Sequence, residues 1–137
     1  MTTTPALAAL KPLTTDDALL ERVDDLIGVA LRREVWLLFL GEDDVQLPVM
    51  VPVENLPDWP DGDLSGFVAT ITKIARVEGA TSVVTVWERP GGAAPSDADR
   101  AWARGLALAF ARSDQTLRGQ LLCHDHGVRW FVADDYL

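Results

Sequence analysis

Between Thr81 and Asp99 the chain reads T-S-V-V-T-V-W-E-R-P-G-G-A-A-P-S-D-A-D, and this stretch most limits what it can become. The β-branched run from Thr81 to Trp87 predicts a strand. Glu88 to Pro95, with Pro90, Gly91 and Gly92, predicts a loop. Ser96 supplies a capping hydroxyl and Asp99 an acid in the first turn of a following helix. In that helix Ala98, Ala101, Trp102, Gly105, Leu106 and Ala109 share one face, and Arg100 and Arg104 lie on another. A strand feeding an amphipathic helix calls for a sheet with helices packed on it.

The remaining sequence supplies that sheet. Thr14 or Thr15 before Asp16 and Asp17 marks a first helix, with Leu19, Val23, Leu26, Ile27 and Ala30 at helical spacing. Arg32 and Arg33, suited to the negative end of the helix dipole, predict its end. Glu34 to Leu40 is a short, continuously apolar run expected as a strand buried on both faces. A turn at residues 41–44 leads to a second strand, Val45 to Val53, in which Pro48 and Pro52 favour a sheet edge. Asn55 to Gly62 predicts a loop, and Asp63 a cap for a helix with Leu64, Phe67, Val68, Ile71 and Ala75 inward and Gly79 as its stop. Thr116 to Cys123 and Val128 to Val132 predict two strands joined at His124-Asp125-His126-Gly127. The tail from Ala133 is expected to be exposed. The fold class expected is α/β (mixed α+β): one domain over 14–137, a mixed sheet flanked by about three helices, after a flexible leader over 1–13.

Composition excludes several function classes. Of 137 residues 48% are apolar, enough for a core, yet no apolar run approaches the roughly 18 residues of a spanning helix. The formal net charge of −9 opposes binding to nucleic acid, where affinity comes from neutralising phosphates. Cys123 is the single cysteine and has no partner for a disulfide. With an N-terminus that lacks a basic segment before its apolar residues, this points to a cytoplasmic protein.

The order of elements and the residues at their hinges resemble the JAB/MPN (JAMM) domain, most closely its bacterial RadC-like branch. Glu34, in R-E-V-W-L-L-F-L-G, stands where that family has a glutamate at its first strand. W-E-R-P stands where the family has His-x-His-Pro, and G-G-A-A-P-S-D-A-D contains its Pro-Ser-x-x-Asp helix start. The resemblance runs from about Leu19 to Phe131. It implies zinc hydrolysis: two histidines and the aspartate hold the metal, the glutamate is general base, and the serine stabilises the oxyanion. Here Trp87 and Arg89 replace the histidines. Trp is no ligand, and Arg is a permanent cation with no lone pair to give. Asp99 alone cannot hold a zinc ion that needs three protein ligands and a water.

The expectation is therefore a degenerate site with no cofactor and no confident catalytic residue. Glu34, Ser96 and Asp99 are its vestiges, although an ordinary helix start explains Ser96 and Asp99 more simply. Arg89 is expected in the cation's place, paired with Asp99 or Glu34, or else pointing into solvent. Trp87, Arg89 and Trp59 are the candidate binding residues, in the former substrate groove, for an unidentified protein or small ligand; a loop tryptophan folded back onto the domain explains Trp59 more simply. His124 and His126, flanking Asp125 and next to Cys123, resemble metal ligands on paper, but a solvated hairpin tip explains them more simply. The alternative function is a metal-dependent hydrolase with a rearranged carboxylate site of Glu34, Asp99, and Glu88 or Asp97. DNA repair, by association with RadC, is opposed by the acidic composition. Some family members dimerise, and that resemblance alone raises a homodimer.

Overall fold

A computed structural model describes residues 11–136. It is a mixed five-stranded sheet with three α-helices. In chain order these are α1 (Asp16–Leu26), β1 (Glu34–Leu40), β2 (Gln46–Val53), α2 (Ser65–Glu78), β3 (Ser82–Glu88), α3 (Asp97–Ala111), β4 (Leu117–His124) and β5 (Gly127–Trp130), with 3₁₀ turns at Glu42–Asp44 and Ala133–Tyr136. The strands lie in the order β2-β1-β3-β4-β5. Both β1–β2 and β4–β5 are antiparallel hairpins, β3 runs antiparallel to β1, and β3 and β4 are parallel. A parallel neighbour requires a crossover, and α3 supplies it. Helix α2 joins β2 to β3 with β1 lying between them.

Because side chains alternate across a strand, the sheet divides two cores. Val35, Leu37, Phe39, Val83, Trp87 and Leu122 face α2 and α3, meeting Val68, Ile71, Trp102 and Leu106. Leu38, Leu40, Val84, Val86, Leu121 and Cys123 face α1, meeting Leu19 and Val23. Central strands covered on both faces need continuous apolar runs, which is why β1 and β3 read so plainly. Strand β2 is an edge strand, and Pro48 and Pro52 are exposed there.

Three boundaries differ from expectation. Helix α1 stops at Leu26, not near Arg32, because Gly28 takes φ +73° and turns the chain out of the helix. Residues 1–10 of the expected leader lie outside the described residues, but Leu13 belongs to the packed chain. It is buried against the α1-side core, and its N–H donates to Asp44 O at 2.9 Å. The tail is not simply exposed. Asp135 is buried, accepts from Arg129 Nη2 at 2.9 Å and from Val132 N at 2.8 Å, and folds the last turn so that Tyr136 packs on Phe131.

Candidate functional site

Trp87 and Arg89 are two residues apart at the carboxyl end of β3, so both side chains fall on the α3 side of the sheet. The loop 90–95 then reverses the chain into α3. Ser96 and Asp99 form a reciprocal capping box: Asp99 N donates to Ser96 Oγ at 3.1 Å, and Ser96 N donates to Asp99 Oδ2 at 2.9 Å.

Arg89 closes this arrangement. Its Nε and Nη2 donate to Asp99 Oδ2 at 3.0 and 2.8 Å, its Nη1 to Gly92 O at 2.6 Å, and its Nη2 to Ala94 O at 3.1 Å. The side chains of the pair are only 15% and 13% exposed. Arg89 therefore pairs with Asp99, and not with Glu34. The guanidinium gathers a carboxylate and two loop carbonyls, acceptors that a cation would otherwise have to satisfy.

Glu34 is not part of this cluster. It lies directly across from Glu88 in the β1–β3 ladder, and Val35 lies across from Trp87. Glu34 and Glu88 thus point to the α1 side, away from Asp99. The Glu88 carboxylate accepts from Leu31 N at 2.7 Å, Arg32 N at 3.2 Å and Trp36 Nε1 at 2.9 Å. Glu34 is buried, with Oε1 3.3 Å from Arg32 Nε and Oε2 without a hydrogen-bond partner. Burial raises its pKa, as do Glu54 and Glu88, while Arg32 opposes them.

The other candidates are similarly separated. Asp97 is exposed and pairs with Arg100. The four carboxylates considered for a hard metal are thus divided between two faces and solvent. Among the described residues no group of three or more His, Cys, Asp or Glu could hold a metal ion. The donor set does not fit zinc. His124 is buried and its Nδ1 accepts from His126 N at 3.2 Å, whereas His126 is exposed. Burial pushes the His124 pKa down, with Arg89, His126 and Arg129 adding to the effect against Asp125. Cys123 is buried, and burial together with Glu88 and Asp24 pushes its thiol up to about 11.

Beside the Arg89–Asp99 pair lies a cavity of about 490 Å³, whose lining includes Trp87, Trp102, Val53 and Leu56 together with the charged residues Arg33, Glu34, Asp58, Glu88, Arg89 and Asp99. Trp87 and Trp102 form its apolar wall, with ring centroids 5.7 Å apart and planes tilted by 39°. Trp59 is 56% exposed and is not among the lining residues, so it is neither folded back nor part of this wall. The loop carrying it is pinned: Arg33 donates to Leu56 O and Pro57 O, and Trp102 Nε1 donates to Pro57 O and Asp58 O.

A buried network behind the wall was not foreseen. Gln120 Oε1 accepts from Trp87 Nε1 at 2.8 Å and from Thr85 Oγ1 at 3.0 Å, and Gln120 Nε2 donates to Ala103 O at 2.7 Å. This satisfies an indole N–H that burial would otherwise orphan, and it locks Trp87 in place. The sequence signal was a neutral polar residue, Gln120, directly before the apolar run Leu121–Cys123.

Compared with known proteins, the chain matches no family model and no curated protein.

Proposed function

We propose that this chain is a non-catalytic binding module on a JAB/MPN-like framework of the RadC-like kind. In this reading the cavity beside Trp87 and Trp102 is its binding site, and the hydrolytic centre is replaced by an internal ion pair. The observation that carries the reading is the Arg89 guanidinium itself, held by Asp99 Oδ2 and by the carbonyls of Gly92 and Ala94. A cation fixed covalently to the chain can hold the loop and the α3 start together. It cannot lower the pKa of a bound water as an open metal site does. Glu34 agrees with this in that its carboxylate pairs with Arg32 and takes no part in the Arg89–Asp99 cluster.

A reducing, cytoplasmic setting suits Cys123, a buried thiol in a chain with no second cysteine. The net charge of −9 favours a protein or small-molecule partner over nucleic acid. The test is metal analysis of the purified protein, with peptidase and isopeptidase assays run with and without a chelator. No stoichiometric zinc and no chelator-sensitive turnover are expected. Chelator-sensitive turnover that disappears in Glu34→Gln would overturn the reading.

A further inference from the structure

A second cavity, of about 500 Å³, lies between α2 and the end of α3, apart from the one beside Trp87 and Trp102. One face of α2 lines it, with Lys73 and Arg76 one turn apart, and Arg112 stands at the end of α3. Its charged lining is Lys73, Arg76 and Arg112 against Asp114. Asp114 is spent on Arg76, at 3.2 Å in an exposed pair. Asp63, outside the lining, feels the field of Arg112, but its Oδ1 accepts from Ser65 N at 2.9 Å and makes no ion pair with the guanidinium. Among the described residues the side chains of Lys73 and Arg112 have neither a hydrogen-bond nor an ion-pair partner. In a chain of net charge −9 this is a local excess of positive charge, and salt screens acids more than about 8 Å away. Between these cations Val68, Ala69 and Ala109 give the cavity apolar surface. Thr72 lies there too, with a buried hydroxyl that has no hydrogen-bond partner, a group that buried sites ordinarily satisfy.

We infer that this cavity is a second binding site, for a small phosphate monoester with an apolar body. Its phosphate is held by Lys73 and Arg112, and its body rests on Val68, Ala69 and Ala109. Two unpaired cations on two different helices suit one group carrying a charge of about −1.5 to −2. A monocarboxylate would neutralise only one of them. The guanidinium meets phosphate oxygens as a fork and the ammonium as a point charge. The volume suits a ligand of one or two rings.

The experiment titrates phenyl phosphate, benzoate, phenol and inorganic phosphate into the full chain and follows the backbone amide and tryptophan indole N–H resonances by NMR. Phenyl phosphate should shift the amides of Thr72, Lys73, Val77 and Ser113 saturably. It should bind roughly tenfold more tightly than benzoate, as expected for one more charge-assisted contact, and more tightly than phenol or inorganic phosphate. Lys73→Gln and Arg112→Gln should each weaken it severalfold. Both side chains are exposed, so thermal unfolding should be unchanged. Lys73→Arg, which keeps the charge, should retain binding. Affinity unchanged in both Gln variants, or lost in Lys73→Arg, would overturn the proposal. So would benzoate, phenol or inorganic phosphate binding as tightly as phenyl phosphate, or the absence of any saturable shift. A shift of the Trp87 indole signal with none at Thr72 would place the ligand in the other cavity, and would overturn it equally.

Discussion

Arg89 ties the end of β3 to the start of α3. Asp99 Oδ2 receives three donors, two from Arg89 and one from Ser96 N, so the same oxygen caps α3 and neutralises the guanidinium. Removing the cation leaves a largely buried carboxylate short of partners and frees two loop carbonyls. Arg89→Met should therefore cost about 2 kcal/mol, less than a fully buried pair because some solvent reaches both side chains. Asp99→Asn should cost a similar amount. The double variant should cost about 1 kcal/mol or more below the sum of the two, measured as a urea-denaturation double-mutant cycle. Additivity within about 0.5 kcal/mol would show that the two side chains act independently. The sequence made this pair legible as one of two partners for Arg89. The choice against Glu34 was not legible, because it depends on the β1–β3 register. Those strands are separated by a hairpin and a helix, and no local pattern states which residue of one lies across from which of the other. A shift of one residue in that ladder would have turned Glu34 toward Asp99.

At the level of elements, legibility follows how far each signal is local. Strands β1 and β3 and the stripe of α2 are written in their own residues, and so are the Ser96 cap and the left-handed Gly79 stop. The end of α1 is set by Gly28 and not by the arginine pair Arg32 and Arg33, which suits a helix terminus without forming one. Gly119 in β4 illustrates a signal that only packing explains. It does not need a positive φ; a Cβ there would lie 2.5 Å from Trp130 Cζ3, so the glycine makes room for the ring of the neighbouring strand. Arg118 lies 5.7 Å from that ring centroid on the same hairpin. Gly119→Ala should destabilise by about 1–3 kcal/mol through overpacking, and the penalty should shrink in a Trp130→Leu background. Thermal unfolding of the four proteins checks this. An equal penalty in both backgrounds would place the clash elsewhere.

For the whole molecule, two of the displaced titrations, those of His124 and Glu34, act on stability with opposite signs. His124 has its pKa lowered in the folded state, chiefly by burial and then by Arg89, His126 and Arg129, with only Asp125 opposing. The unfolded chain therefore binds this proton more readily, and stability falls as pH drops through the ordinary imidazole range. Glu34 has its pKa raised by burial and by Glu54 and Glu88 against Arg32. The folded chain holds that proton where the unfolded chain has lost it, so stability falls as pH rises from the ordinary carboxylate value through the raised one. Urea denaturation between pH 7.5 and 5.5 should thus show decreasing stability on acidification, on the order of the shifts that single buried groups produce. His124→Asn, which keeps an acceptor for His126 N, should flatten that slope. Glu34→Gln should remove the opposing contribution that Glu34 makes as pH rises. It should raise stability at pH 7 by up to about 1 kcal/mol, because it removes a buried carboxylate with an unpaired oxygen. If the His124→Asn profile ran parallel to that of the unmodified chain, the acid sensitivity would belong to another group, and His124 would be as free to titrate when folded as when unfolded.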